Sequence, residues 1–291
     1  MKHGRSLREL AVIPAVGALL PWPLGFRWLS RQARNDALYR EVCDAAVAGA
    51  GSVFEIGNPD VWKRRHRLVR LVDHCDLWLT RSRSLSWLDR HVDVDGAWPR
   101  QGPFIAMTFH WGAGLWALAH LHRHGLRARF LSARIDPTAF HGDGIAHRYA
   151  RMRNAAVERI GGGPVIYTGG ASSSISEALA AGDVVVALYD LPADDRHSTL
   201  TTTVCAHRVR LPAGLARLAA AGNVPVVPFA MDFDEVTGRR RLRIEPAFTP
   251  SDAQAFADRL GQSLTRLLEE NSAAWHFAAF APHFFTTPPQ G

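Results

Sequence analysis

Lysine and cysteine are both scarce in this sequence of 291 residues. Lys2 and Lys63 are the only lysines, so arginine supplies nearly all of the positive charge. Cys43, Cys75 and Cys205 are few, odd in number and without the spacing of metal ligands. This cysteine usage excludes a disulfide framework and fits a reducing compartment.

The motifs of several common functional classes are also missing. The sequence has no zinc finger and no aromatic RNP pattern, which disfavours nucleic-acid binding. The glycine-rich stretches 161–164 and 168–174 are not followed by lysine at the spacing of a phosphate-binding loop. The serines at 172–174 lack a G-x-S-x-G elbow, so an α/β-hydrolase is disfavoured, and a helix cap is the simpler interpretation of this stretch.

The overall composition is that of a globular protein with a basic surface. Apolar residues make up 47% of the chain and charged residues 21%, with a formal net charge of +7. This balance suits an anionic partner, namely nucleic acid, a phospholipid surface or a phosphorylated carrier, or it is a solvated basic surface without a partner. Several of the nine tryptophans lie near arginines, a combination typical of the membrane headgroup region.

The amino-terminal segment, residues 1–35, is predicted to associate with a membrane. Residues 10–26 carry no charge and follow Lys2, Arg5 and Arg8. This run is at the lower limit for crossing a bilayer, and three prolines interrupt it. We expect an interfacial or re-entrant hairpin with its basic residues on the cytoplasmic side. A buried helix pair and a secretory signal are the alternatives.

Residues 36–291 are predicted to form a single α/β domain. Residues 30–90 have helical periodicity, whereas apolar strands alternate with helices from 103 to 230. This alternation predicts a mostly parallel central sheet flanked by helices. Ligands bind beyond the carboxyl ends of the strands in such sheets. His110, Asp136 and Asp190 all follow predicted strands.

His110 is the first candidate for chemistry. It lies between the apolar run 103–109 and the predicted helix 113–123. The glycines at 112 and 114 allow a ligand or backbone to approach closely. Histidine at such a corner is suited to general base catalysis, although it also serves there as a simple hydrogen-bonding residue.

Four segments resemble the bacterial lysophospholipid acyltransferases, in particular the lipid A biosynthesis (lauroyl/myristoyl) branch. TFHWGAGLW, residues 108–116, is similar to the H-x4-E/D block of that family. GDVVVALYD, 182–190, is similar to its strand that ends in aspartate. Residues 206–229 resemble its G-x-x-A helix followed by a buried strand, and residues 264–284 resemble its closing segment around Trp275.

The resemblance implies a glycerolipid acyltransferase-like fold and an acyl transfer reaction. His110 would remove a proton from a hydroxyl or amine of a lipid or glycolipid acceptor, which then attacks an acyl carrier protein or coenzyme A thioester. No metal or organic cofactor is expected, and the expected location is the cytoplasmic face of a bacterial inner membrane. The expected substrate-binding residues are Trp111, Gly112, Leu115, Trp116, Arg134 and Gly214.

The sequence departs from the family pattern at Leu115, where the family has an acidic residue that orients the histidine. Leucine cannot accept a hydrogen bond from the imidazole. Asp190 or Asp136 could supply the missing carboxylate, His110 could act without one, or the chain could have lost the reaction and only bind acyl chains or carriers. This last alternative makes it a binding partner in a lipid or lipid-linked pigment pathway.

The remaining charged groups support weaker hypotheses. Arg134, and the arginines 148, 151 and 153, are candidates for binding a phosphate, because guanidinium groups match its geometry. Asp194, Asp195 and His197 suggest a metal-bound nucleotide sugar and hence a glycosyltransferase, but neighbouring carboxylates are common in loops. We therefore predict no metal site.

Overall fold

The computed structural model describes residues 2–191 and 199–286. Its amino-terminal part is helical, as the periodicity of residues 30–90 predicted. The segments are α1 (Lys2–Ser6), a π-helical turn (Leu7–Val12), α2 (Ile13–Leu19), α3 (Trp22–Gln32), α4 (Arg40–Gly51), α5 (Pro59–Ser82) and α6 (Leu85–Asp89). The Asn58 side chain caps α5 by accepting from the backbone N–H groups of Asp60 and Val61.

Helices α2 and α3 form a tight hairpin that packs on α5. A Cβ atom on Gly25 would lie 2.2 Å from the carbonyl oxygen of Gly17, so the two helices meet at glycine. The inner face of the hairpin, including Trp22, Phe26 and Leu29, belongs to the same hydrophobic core as the rest of the chain. In the described ranges 2–191 and 199–286, no helix has both the length and the apolar character needed to span a bilayer.

A seven-stranded sheet lies at the centre of the molecule. Its strands are β1 (Val92–Asp95), β2 (Phe104–Thr108), β3 (Ala128–Ser132), β4 (Ile166–Tyr167), β5 (Val184–Leu188), β8 (Val226–Phe233) and β9 (Arg240–Ile244). They lie in the order β1-β9-β8-β2-β5-β3-β4, and all neighbours are parallel except β8 and β9, which are antiparallel. The predicted α/β class with a mostly parallel sheet is confirmed.

Helices cover the sheet in two groups. Those that follow strands are α7 (Leu115–Arg123), α8 (Gly144–Gly161), α9 (Ser172–Ala180), α10 (Gly214–Ala221) and α11 (Ala253–Asn271), and α12 (Ala281–Phe284) comes after α11. Helix α5 contacts α7 and α8, which also contact each other, and α10 contacts α11. Every residue of β2 and β8 is buried, as expected for strands covered on both faces.

A second, antiparallel sheet was not predicted. It contains β6 (Thr199–Val204), β7 (His207–Pro212) and β10 (Phe285–Thr286), in the order β10-β7-β6. The helix expected within residues 206–229 is α10, which starts at Gly214, after Pro212 has ended β7. Exposed and buried residues alternate along β7, which is the period of a strand.

Candidate active site

The register of two neighbouring strands brings His110 and Asp190 together. In the parallel pair formed by β2 and β5, Thr108 is aligned with Leu188. His110 and Asp190 each follow their aligned residue by two positions, so they emerge side by side at the carboxyl edge of the sheet. His110 Nδ1 lies 2.9 Å from Asp190 Oδ1.

Asp190 is fully buried and accepts hydrogen bonds from three groups. The backbone N–H of His110 lies 3.0 and 2.9 Å from its two oxygens, and Trp275 Nε1 donates to Oδ2 at 2.8 Å. The third donor is the His110 ring, because an ionised carboxylate can only accept. This fixes the proton of the neutral imidazole on Nδ1 and leaves the lone pair on Nε2.

The His110 ring is also held from the side. Phe277 stacks on it with ring centroids 4.0 Å apart and an interplanar angle of 19°. The ring is part-buried, so it is oriented by the protein without being sealed from solvent. Among residues 2–191 and 199–286 no group is hydrogen-bonded to Nε2, and an oriented imidazole with such a nitrogen is suited to act as a general base.

The segment after His110 is attached to the sheet and to the end of the chain. Gly112 N donates to Ala274 O at 2.9 Å, and Ala113 N donates to Met231 O at 2.9 Å. His276 binds the same segment twice, from its backbone N–H to His110 O and from Nε2 to Gly112 O, both at 2.7 Å. The closing segment of the chain therefore positions the corner that carries His110.

Gly112 is the one position in this corner that requires glycine. Its φ is +69°, and a Cβ atom there would lie 2.1 Å from Met231 O. We expect Gly112→Ala to lower the free energy of unfolding by roughly 3 kcal/mol or more, through strain and a steric clash. Chemical denaturation measures this loss.

Gly114→Ala is the matched control for this prediction. Gly114 has an ordinary right-handed conformation, and no neighbouring atom lies within 4 Å of the position that a Cβ atom would take there. We expect its cost to stay below about 1 kcal/mol. Equal losses for the two variants would contradict the account of Gly112.

The other predicted site residues lie in different surroundings. Leu115 and Trp116 are buried in the core, where Trp116 packs edge-to-face on Trp87. Trp111 is buried and donates from Nε1 to Asn271 O at 3.0 Å. Its indole packs beneath the guanidinium of Arg243 at 5.2 Å.

The structure does not bring Asp136 to His110. Asp136 is exposed and accepts from the backbone N–H of Thr138 at 2.9 Å, at the start of the 3₁₀ turn Pro137–Phe140. Arg134 is also exposed and lies over the ring of Tyr167 at 5.3 Å. Gly214 begins α10.

The hypothesis of a metal site receives no support from the residues described. Asp194, Asp195 and His197 lie outside them. Among residues 2–191 and 199–286, no group of three or more His, Cys, Asp or Glu side chains could hold a metal ion.

Sequence reasoning named Arg153 as a candidate for binding a phosphate but missed the polar side chains near it on α5 and α8. Arg153 Nη2 donates to Asp73 Oδ1 at 2.8 Å, and His74 Nδ1 lies 2.7 Å from Tyr149 Oη. Arg70 lies one turn before His74 on α5. The signal was present in the sequence, because these polar residues recur at helical spacing within a segment that is otherwise largely buried.

Burial controls the protonation of the histidines near this set. Burial lowers the pKa of His74 to about 3 and that of His276 to about 4, and the positive charge of Arg70 acts in the same direction. Burial alone would raise the pKa of Asp73, but Arg153 lowers it to about 2. Both histidines are therefore neutral and Asp73 is ionised at neutral pH.

Comparison with known proteins adds no family to these observations. No protein-family model matches the chain, and no curated protein matches it.

Proposed function

We propose that this protein is an acyltransferase that uses His110 as its general base. The observation that carries this proposal is the contact between His110 Nδ1 and the buried Asp190 carboxylate at the carboxyl edge of a parallel sheet, which leaves Nε2 without a partner in the part of the chain that is described. The resemblance of residues 108–116 and 182–190 to lysophospholipid acyltransferases supports the choice of reaction and of a glycerolipid acyltransferase-like fold.

The proposed reaction has two steps. Nε2 of His110 takes the proton of an acceptor hydroxyl or amine while the acceptor oxygen or nitrogen attacks the thioester carbonyl carbon. The tetrahedral intermediate then collapses, the carbon–sulfur bond breaks, and the imidazolium returns the proton to the leaving thiolate. Asp190 stabilises the imidazolium, and backbone N–H groups at the start of α7, which no side chain caps, are suited to the oxyanion.

In this proposal, Asp190 supplies the carboxylate that the family pattern has at the position of Leu115. Leu115 is the first residue of α7 and faces the core, whereas Asp190 reaches the same imidazole from the neighbouring strand. Among the three explanations left open by the sequence, this geometry favours a replacement carboxylate. The donor would be an acyl carrier protein or coenzyme A thioester, and the acceptor a lipid or glycolipid.

A direct assay tests this function. Purified protein is incubated with a radiolabelled acyl thioester and a bacterial lipid extract, and label in the lipid fraction is measured. We expect His110→Ala to reduce transfer by about 10²–10⁴-fold, the usual contribution of a general base. His283→Ala, at an exposed histidine, is the matched control and should retain transfer.

Two results would refute the transferase proposal. One is the absence of transfer by the unaltered protein to any lipid. The other is equal transfer by the unaltered protein and His110→Ala. Binding of acyl thioester without transfer would instead favour the second candidate, a catalytically impaired acyl-binding homologue.

We also propose that the α2–α3 hairpin rests on an anionic membrane surface. Its outer face exposes Val12, Val16, Leu19 and Leu24, and Leu19 at the tip is 73% exposed. Arg27 and Arg31, on α3, are exposed as well. Apolar side chains flanked by arginine fit the headgroup region of an anionic bilayer, and aliphatic burial there lowers the free energy.

Charge introduced at the tip tests this membrane contact. We expect Leu19→Asp combined with Leu24→Asp to reduce co-sedimentation with phosphatidylglycerol-containing vesicles by at least about tenfold, because charged groups are costly in the apolar layer. The control is Val61→Asp, at a residue that is 49% exposed near the start of α5. Val61 lies far from the hairpin along α5, because the hairpin is contacted at the opposite end of this helix, where Arg83 donates to Ala18 O.

The rise of an α-helix places Val61 about 30 Å from that contact. The Val61 variant should therefore sediment with vesicles like the unaltered protein. Equal loss in both variants, or no loss in either, would count against the hairpin as the membrane contact.

A further inference from the structure

A group of polar side chains adjoins the corner that carries His110. We call it the inner polar cluster. His276 connects the two, since it binds His110 O and Gly112 O, and its pKa is affected by the charges of Asp73, Arg70 and His110. The members of the cluster are Arg70, Asp73 and His74 on α5, Tyr149 and Arg153 on α8, and His276 in the closing segment.

The inner polar cluster contains hydrogen-bonding atoms without partners. Arg70 Nε, Arg153 Nη1 and His74 Nε2 are buried and form no hydrogen bond with any of residues 2–191 and 199–286. Arg70 is hydrogen-bonded to no residue in the described ranges, and its guanidinium only lies over the Tyr39 ring at 5.6 Å. A buried guanidinium N–H without an acceptor is costly, so these groups need an acceptor that the described protein atoms do not supply.

Neither Asp73 nor Glu9 is hydrogen-bonded to Arg70. Asp73 is hydrogen-bonded to Arg153. Glu9 Oε1 accepts from the backbone N–H of Tyr39 at 2.6 Å, and burial raises the pKa of this carboxyl. Within residues 2–191 and 199–286, the Arg70 guanidinium therefore has no hydrogen-bond acceptor.

The inner polar cluster is not closed to solvent. The side chain of Arg153 is 31% exposed and that of Asp73 is 11% exposed. Arg153 and Asp73 therefore border solvent, whereas the unpaired nitrogens of Arg70 and Arg153 are buried. The unpaired atoms lie on two helices, α5 and α8, so an acceptor between them would be held from both sides.

We propose that Arg70 and Arg153 bind a phosphate group of the substrate. Phosphate presents several strong acceptor oxygens in a tetrahedral arrangement, which suits donors that arrive from two helices. The choice of phosphate over other anions rests on the proposed acyl transfer, because carrier thioesters contain a phosphopantetheine phosphate and lipid acceptors carry headgroup phosphates.

Calorimetric titration with matched probes tests this site without any acyl transfer. The probes are 4′-phosphopantetheine with pantetheine as its phosphate-free control, and glycerol 3-phosphate with glycerol. We expect Arg70→Gln to weaken binding of at least one phosphorylated probe by about tenfold or more, the effect of losing one charge-assisted hydrogen bond. Neither phosphate-free control should depend on Arg70.

Arg64→Gln separates this site from the general basic charge of the protein. Arg64 is exposed on the same helix, α5, and the substitution removes the same charge. It should leave the dissociation constants within about twofold, since an exposed charge is screened by salt. Arg70→Gln should remain folded because Arg70 has no hydrogen bond to lose; Arg153→Lys, which keeps the charge beside Asp73, provides a second variant.

The outcomes are distinct. Dependence on Arg70 for phosphopantetheine assigns the site to the acyl donor, and dependence for glycerol phosphate assigns it to the acceptor; both support a phosphate site. Equal effects of Arg64→Gln and Arg70→Gln, or no binding of either phosphorylated probe, would overturn it. Phosphate binding that depends on Arg70 but persists without acyl transfer would contradict the proposed function and leave the site intact.

Discussion

Asp190→Asn should lower acyl transfer by about 10³–10⁴-fold while most of the protein remains folded. The amide can still accept from Trp275 Nε1, but its NH₂ group must face the nitrogens of His110 or exchange places with the oxygen. An amide donor opposite Nδ1 favours the tautomer with the proton on Nε2, which cannot act as a base. The magnitude is that of the equivalent substitution in serine protease triads, taken as an analogy.

Asp136→Asn is the matched control for this result. It makes the same change at the other carboxylate that the sequence offered as a partner, but Asp136 is exposed and only caps a turn. We expect its transfer rate to stay within about twofold of the unaltered protein. Transfer rates and urea denaturation are measured for both variants, since the donors left unpaired around the new amide in Asp190→Asn should cost about 1–3 kcal/mol of stability.

A reversed pattern would contradict the proposed pair. Loss of transfer in Asp136→Asn with retention in Asp190→Asn would mean that the observed contact does not serve the reaction. Retention in both would favour a histidine that acts without an acidic partner.

The pairing of His110 with Asp190 shows how far the sequence could lead. The apolar runs predicted the strands of the sheet. The polar residues that follow these runs included both His110 and Asp190. Eighty positions separate the two residues, and their contact depends on β2 and β5 being neighbours in register. The sequence of a strand does not specify which strand lies beside it. The sequence therefore left Asp136 and Asp190 as alternatives for the carboxylate that contacts His110.

Other features were hidden by stronger local patterns. Residues 206–229 were interpreted as a helix and a strand, and the strand β7 was missed, although exposed arginines alternate with buried Val209 and Leu211 along it. The polar residues on the inner face of α5 were not predicted to be buried. Helical periodicity gives the spacing of a face but not what covers it, and here α8 and the closing segment cover it.

A second large effect is expected at Arg240, which is fully buried together with Asp76. Arg240 donates to both carboxylate oxygens of Asp76 and to Gly238 O, and its guanidinium lies between the rings of Trp22 and Trp116 at 4.8 and 4.5 Å. This pair links the α2–α3 hairpin, α5 and β9 to the helix that follows His110. Arg240→Met leaves the Asp76 carboxylate buried without its partner.

We expect Arg240→Met to lower the free energy of unfolding by about 3–5 kcal/mol, as measured by urea denaturation at neutral pH. Arg239→Met is the control, because Arg239 pairs with Asp93 at the surface and its loss should cost less than about 1 kcal/mol. The double variant Arg240→Met with Asp76→Leu should recover most of the stability, since it removes the unpaired charge as well.

The double variant decides between two explanations of a loss of stability in Arg240→Met. If the cost comes from an uncompensated buried carboxylate, removing Asp76 restores stability. If it comes from lost packing between Trp22 and Trp116, the double variant is at least as unstable as Arg240→Met alone. An Arg240→Met variant as stable as Arg239→Met would show that neither the ion pair nor the packing of the guanidinium on the two indoles contributes to the free energy of unfolding.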